Sequence, residues 1–213
     1  MNFHKVVLIG ESDVGKIEII SQFLNQTSNT ETLNQKFFRK NLELKNGNFV
    51  TLDIYDTIGD VKDRFESKIF YKDAKAIIFV YDCTDEKSFK KLKEYWYEDM
   101  KQRTNKDVIF VVAGNKSELY ENKKVSNEEG EEWAKSIGAV FFSISSKYGS
   151  GIDEMFNYIG EKINNPKYDF YAEKEKGKEE NKKRQEKEND GNEKLVKENN
   201  KKVCVLFIKI MFI

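Results

Sequence analysis

A glycine-rich segment near the start of the chain has the residue types and spacing of a phosphate-binding loop. The segment 10–17 (GESDVGKI) lies between a short apolar run, 6–9, and a stretch whose apolar residues recur at helical spacing. In such a strand–loop–helix context, glycines let the backbone turn its N–H groups toward a phosphate, and the helix N-terminus adds partial positive charge. Lys16 would supply an ammonium for the terminal phosphates. The residues expected to bind phosphate are Gly10, Glu11, Ser12, Asp13, Val14, Gly15, Lys16 and Ile17.

Three further polar segments each follow a predicted strand, as the phosphate-binding segment does. Parallel strands of an α/β sheet present their carboxyl ends at one edge, and ligands bind at that edge. Polar segments that converge there predict one nucleotide-type site rather than several unrelated loops. The additional segments are 56–59 (DTIG), 114–118 (GNKSE) and 145–147 (SSK).

Apolar runs and helical periodicity alternate along the chain, which predicts an α/β fold with a doubly wound, mostly parallel sheet of six strands. The Asn-Gly sequence at 46–47 predicts a tight hairpin between the second and third strands. Ser126 and Glu129 form a capping-box pattern that begins a helix. The predicted strands cover 6–9, 36–45, 49–55, 76–81, 108–113 and 139–144, and helices are predicted from about 17, over 61–72 and 86–103, from 126 to about 137, and over 153–163.

Composition and charge limit the class of protein. The chain has 213 residues, of which 35% are charged, yet its formal net charge is zero. It has no basic stripe of the kind that binds nucleic acid, so nucleic acid is not an expected partner. Its only cysteines, Cys83 and Cys204, indicate a reduced, cytoplasmic protein without disulfides.

The C-terminal part differs in composition from the rest, which predicts three regions. Residues 1–168 carry the alternating apolar pattern of a folded domain. Residues 169–202 are rich in Lys, Glu and Asn, and we expect a disordered linker because so few apolar residues cannot bury enough surface to fold. Residues 203–213 are apolar but too short to span a bilayer. Contact with a membrane, binding to a partner and an incorrectly assigned terminus are three interpretations of that last segment.

These motifs, in this order and spacing, resemble the Ras-like small GTPases, and the Rab branch among them, over residues 3–165. The resemblance implies a P-loop small G-protein fold that binds GTP and GDP with Mg²⁺ and acts as a switch in intracellular vesicle traffic. It also implies a cytoplasmic protein, peripheral on endomembranes, that contacts effector and regulatory proteins through 29–38 and 57–72. The Rab character comes from 51–56 (TLDIYD), 70–74 (FYKDA) and 79–84 (FVYDCT).

The resemblance also implies roles for individual residues. Thr32 and Asp56 correspond to residues that hold Mg²⁺, and Gly59 corresponds to the glycine whose N–H meets the γ-phosphate. Asp60 occupies the catalytic position that orients the attacking water. The residues implied to bind or support the guanine base are Asn115, Lys116, Glu118, Ser145, Ser146 and Lys147.

Four residues depart from the family pattern in ways that weaken the expected chemistry, and the first, Asp13, adds a negative charge to the phosphate-binding loop. Ile17 replaces the Ser or Thr whose hydroxyl ligates Mg²⁺. Asp60 replaces a glutamine, and its carboxylate would repel the γ-phosphate. Glu118 replaces the aspartate that accepts two guanine N–H bonds, and its extra methylene displaces the acceptor by about 1 Å. We therefore expect a weakened Mg²⁺ site and weak GTP hydrolysis; the alternative is a pseudo-GTPase that acts as a binding scaffold.

Overall fold

One six-stranded sheet organises the unit Met1–Tyr168. The computed structural model describes residues 3–25, 37–56, 71–101, 104, 107–179 and 182. The strands run in the order β2-β3-β1-β4-β5-β6, with β2 antiparallel to β3 and every other neighbouring pair parallel. The predicted doubly wound, mostly parallel sheet is therefore confirmed. The strands are β1 (Phe3–Ile9), β2 (Phe38–Glu43), β3 (Phe49–Asp56), β4 (Ala76–Asp82), β5 (Ile109–Asn115) and β6 (Val140–Ser143).

The parallel register brings the strand ends that precede the predicted polar segments to one edge of the sheet. Leu8 of β1 pairs with Asp56 at the end of β3, so the phosphate-binding segment begins beside that carboxylate. Farther along the sheet, Asp82 of β4 pairs with Asn115 of β5. All seven residues of β4 are buried, as expected for a central strand covered on both faces.

Two of the helices begin at a residue whose side chain accepts a hydrogen bond from one of the first N–H groups. Asp85 accepts a hydrogen bond from the Lys87 N–H at 3.0 Å and caps the second helix. Ser126 and Glu129 form the predicted capping box. The helices are α1 (Lys16–Leu24), α2 (Glu86–Lys91, continued by a π-helical turn, Leu92–Tyr97, and by Glu98–Lys101), α3 (Asn127–Ser136) and α4 (Ile152–Asn164).

The π-helical turn of α2 was not predicted, although the inner face of that helix was. The residues expected on this face are all buried in the core: Phe89, Leu92, Trp96 and Met100. Most of the helix predicted over 61–72 lies outside the described residues, and so do Thr32, Gly59 and Asp60.

The second unit, Asp169–Ile213, begins with a helical segment over residues 170–179. The disordered linker expected over 169–202 stays a prediction. The Asp169 carboxylate accepts hydrogen bonds from the N–H groups of Tyr171 and Ala172, at 3.0 and 3.1 Å, and so caps this helix. The segment 203–213 lies outside the described residues. None of the helices that the structure describes is long and apolar enough to cross a membrane.

Candidate functional site

The two glycines of the phosphate-binding segment lie where a side chain would not fit. A Cβ on Gly10 would lie 2.2 Å from the main-chain oxygen of Val80, and a Cβ on Gly15 would lie 2.3 Å from Asn115 Nδ2. Gly15 also has a φ of +93°, which L side chains rarely adopt. Because Gly15 is the N-cap of α1, no side chain covers the first amides of that helix. The segment therefore forms a cradle of backbone N–H groups at a helix N-terminus, which suits an anion.

Lys16 lies inside this cradle and is almost fully buried. Its ammonium donates hydrogen bonds to the main-chain oxygens of Gly10 at 3.1 Å and Glu11 at 2.8 Å. Burial lowers the pKa of Lys16, while the carboxylates of Asp56 and Glu11 act in the opposite direction. An ammonium has three N–H donors, and the two acceptors among the described residues are these main-chain oxygens.

Asn115 joins the cradle to the segment at the end of β6. Its side-chain N–H groups donate to the main-chain oxygen of Val14 at 2.8 Å and to Ser146 Oγ at 3.0 Å. Its Oδ1 accepts from the Ser146 N–H at 2.9 Å. The Asn115 side chain is fully buried, so these contacts hold the two segments in a fixed relative position.

Lys116, directly after β5, connects the cradle to the end of β4. Its ammonium lies 2.7 Å from the carboxylate of Asp82 and donates to the main-chain oxygen of Asp13 at 2.9 Å. Both Asp13 and Lys116 adopt positive φ, near +63°. Sequence reasoning placed Lys116 in the site but missed Asp82. The sequence did contain a signal for Asp82, because a carboxylate at the end of an apolar strand is costly to bury without a charged partner.

Glu118 supplies a buried acceptor at the other end of the site. Its Oε2 is buried and has no hydrogen-bond partner within the part of the chain that the structure describes. A buried carboxylate oxygen without a donor is costly, and the N–H groups of a guanine would satisfy it. The nucleotide implied by the sequence therefore fits the residues present at this end of the site.

Ser145 and Lys147 have a smaller part than Asn115 and Lys116 in holding the segments of the site together. Ser145 Oγ accepts a hydrogen bond from the Tyr148 N–H at 3.2 Å, which shapes the turn that carries Ser146. Lys147 is exposed, and its ammonium lies 5.2 Å from the centre of the Tyr148 ring.

The expected Mg²⁺ site is only partly described. Asp56 ends β3 next to the cradle, and its charge acts on Lys16. Ile17 is half-buried in the first turn of α1 and offers no oxygen there. Within the described ranges, no group of three or more His, Cys, Asp or Glu side chains is placed to hold a metal. Asp56 is therefore the one predicted protein ligand whose position is known.

Glu11 belongs to the cradle, but its carboxylate points to α2. Oε1 accepts a hydrogen bond from Trp96 Nε1 at 3.0 Å, and Oε2 lies 2.6 Å from Lys91 Nζ. The sequence placed Glu11 among the phosphate-binding residues and Trp96 in the core. Nothing in the local pattern indicated that the two side chains meet, since 85 positions separate them.

Comparison with known proteins adds an independent finding. Residues 5–165 match the model of the Ras family. Ras-related protein RabC of Dictyostelium discoideum is 34% identical over 164 residues, which cover 75% of this chain and 83% of that protein. Ras-related protein Rab-21 of Homo sapiens is 36% identical over 155 residues, which cover 71% of this chain and 68% of that protein.

Proposed function

Because the chain belongs to the Ras family of small GTPases and is Rab-like within it, we propose that it is a GTP/GDP-binding switch in intracellular vesicle traffic, with weak GTP hydrolysis. The nucleotide phosphates would bind the cradle of residues 10–17 and the ammonium of Lys16. The base would bind at Asn115 and Glu118.

The observation that carries this proposal is the set of hydrogen bonds made by Asn115. Through Val14 and Ser146, that side chain ties the phosphate cradle to the segment expected to support the base. A nucleotide needs both ends of its site at a fixed separation, and a buried amide with several hydrogen bonds maintains that separation.

The finer part of the proposal concerns the metal and hydrolysis. A bound Mg²⁺ would supply positive charge to the nucleotide phosphates. Thr32 and Asp56 would hold it, and Ile17 would contribute nothing, so the metal site would be weak. Asp60, next to Gly59, would orient the attacking water poorly because it lacks an amide N–H and carries negative charge.

The partners that we propose follow from the family. Effector and regulatory proteins would contact 29–38 and 57–72, as the family resemblance implies. The apolar segment 203–213 would touch an endomembrane from the cytoplasmic side, as a peripheral contact. We propose no nucleic-acid partner, since the net charge is zero.

The test is to identify the nucleotide that stays bound during native purification and to measure GDP affinity by calorimetry. We expect GDP or GTP in the wild-type protein and a loss of affinity of at least about tenfold in Lys16→Met, because a charge-assisted hydrogen bond to phosphate is removed. Lys90→Met, at an exposed lysine that pairs only loosely with Glu94 at 3.8 Å, is the control and should bind normally.

The second candidate function is a pseudo-GTPase scaffold, which Ile17 favours by its position in the first turn of α1. A scaffold would keep the fold without a nucleotide cycle. Failure of the wild-type protein to bind GDP or GTP, with the fold intact by circular dichroism, would contradict the switch and support the scaffold.

A further inference from the structure

The carboxylate of Glu11 connects the phosphate cradle to helix α2. Its two oxygens contact the indole N–H of Trp96 and the ammonium of Lys91, at 3.0 and 2.6 Å. Its main-chain oxygen accepts a hydrogen bond from Lys16 at 2.8 Å. One residue therefore joins α2 to the lysine expected to hold the phosphates.

The π-helical turn of α2 explains how one carboxylate reaches both partners. Lys91 directly precedes the turn Leu92–Tyr97, and Trp96 lies five positions later, within it. In a regular α-helix, residues five apart are separated by about 140° around the axis. The i→i+5 hydrogen bonding of a π turn brings them to nearly the same side. The irregular turn thus places both donors toward Glu11.

The negative charge of Glu11 must be neutralised if the cradle is to bind phosphate. A carboxylate in a phosphate-binding loop would repel a nucleotide, and less water is present to screen that repulsion in a partly buried site. The Glu11 side chain is 17% exposed, and the Lys91 ammonium lies directly against it. Lys91 therefore neutralises a charge that would otherwise oppose phosphate binding.

We propose that Glu11 is a positioning residue for nucleotide binding, held by Trp96 and Lys91 so that the cradle and Lys16 keep the geometry that retains phosphate. This inference rests on the proposed nucleotide-binding function. The Glu11 carboxylate is directed to α2, so its effect would pass through the backbone of residues 10–11 and through Lys16. Helix α2 thereby sets the rate at which nucleotide leaves.

The experiment measures release of fluorescent mant-GDP from the full chain. Glu11→Ala removes both contacts and should speed release by about 10- to 100-fold. Trp96→Phe keeps a ring in the core but removes the N–H, and should speed release by about tenfold. Glu11→Gln keeps an oxygen acceptor for Trp96 and should restore most of the slow release. Lys90→Met, one residue before Lys91, is the matched control and should release at the wild-type rate.

A double variant tests whether the residues act through one contact. Glu11→Ala combined with Trp96→Phe should release mant-GDP no faster than Glu11→Ala alone, because the hydrogen bond is already absent. If the contact served only stability, the variants would lower the melting temperature of the nucleotide-free protein and leave release unchanged. If Glu11→Ala fails to fold, mant-GDP release from Lys91→Met tests the inference instead, since Lys91 is the more exposed partner.

Three outcomes are distinguishable. Faster release in Glu11→Ala, Trp96→Phe and Lys91→Met, with rescue by Glu11→Gln, supports the inference. Normal binding by the wild-type protein with unchanged release in these variants overturns the inference and leaves the proposed function standing. Absence of mant-GDP binding by the wild-type protein overturns the proposed function, and this inference with it.

Discussion

The ammonium of Lys116 lies 2.7 Å from the carboxylate of Asp82 and also donates to the main-chain oxygen of Asp13. These contacts join the end of β4, the end of β5 and the phosphate cradle. Asp82 accepts further hydrogen bonds from the N–H and the hydroxyl of Thr84, at 2.8 and 2.7 Å. The Asp82 carboxylate thus accepts hydrogen bonds from Thr84 and forms an ion pair with Lys116, and these contacts fix its position at this edge of the sheet.

The stability that Asp82 contributes should depend on pH. Burial by itself would raise the pKa of Asp82, but the hydrogen bonds from Lys116 and Thr84 outweigh burial and hold the pKa below its ordinary value. A depressed pKa stabilises the fold above the unfolded-state pKa, about 3.9, and this contribution is lost as the pH falls through the folded-state pKa. We expect Asp82→Asn to lower the free energy of unfolding by about 1–3 kcal/mol near neutral pH, and by less below about pH 4. Urea unfolding at both pH values measures this, and an equal loss at both would contradict it.

Base selectivity should be modest and should improve when Glu118 is shortened. The extra methylene displaces the acceptor by about 1 Å from the position that an aspartate would give it. We expect Glu118→Asp to increase the preference for GTP over ATP by about tenfold, measured by competition with fluorescent GDP. Glu121→Asp, at an exposed position, is the control and should change nothing. A strong preference for GTP in the wild-type protein, unchanged in Glu118→Asp, would show that this interpretation is wrong.

The dependence of nucleotide affinity on Mg²⁺ should be weak and should rise when a hydroxyl replaces the side chain of Ile17. Ile17→Thr and Ile17→Val form a matched pair, since Thr and Val have nearly the same shape and differ in one oxygen. We expect the ratio of GDP affinities with Mg²⁺ and with chelator to rise by about tenfold in the Thr variant only. Calorimetry measures both affinities. A strong Mg²⁺ dependence in the wild-type protein would mean that another oxygen replaces the missing ligand.

GTP hydrolysis should be slow and should accelerate in Asp60→Gln. Glutamine restores an amide that can orient water and removes a charge that repels the γ-phosphate. We expect single-turnover phosphate release to rise by about tenfold or more. Asp60→Asn removes the charge, but its side chain is shorter than that of glutamine. Its rate of GTP hydrolysis should therefore lie between those of the wild-type protein and Asp60→Gln. Equal rates in all three proteins would refute the role assigned to Asp60.

Gly130 should tolerate no side chain, although it lies inside helix α3. An alanine in a helix is ordinarily about 1 kcal/mol more favourable than a glycine. Here a Cβ would lie 2.6 Å from both Tyr81 Oη and Phe141 Cε2, inside the core. We expect Gly130→Ala to destabilise the protein by about 1–3 kcal/mol in urea unfolding. Gly177→Ala, in the helical segment 170–179 with open space around it, should cost nothing; a stabilising Gly130→Ala would be the contrary result.

The sequence by itself determined the features that depend on neighbours along the chain. Four features follow from spacing over a few residues: the strand–loop–helix order around residues 10–17, the capping box at Ser126, the apolar central strand β4 and the buried face of α2. Such patterns are local because side-chain direction repeats with the helix or strand period. The assignments of Thr32, Gly59 and Asp60 rest on the same local matching, and they stay predictions because these residues lie outside the described ranges.

Only the tertiary structure decided which distant side chains meet. Asn115 reaches Val14 across 101 positions, and Trp96 reaches Glu11 across 85. These contacts depend on the order of strands in the sheet and on the π turn of α2, which no short pattern specifies. A buried polar group must find a partner, but local sequence does not say which one, since many donors and acceptors in the chain have suitable chemistry. The packing of β1, β4 and β5 side by side selects the partner.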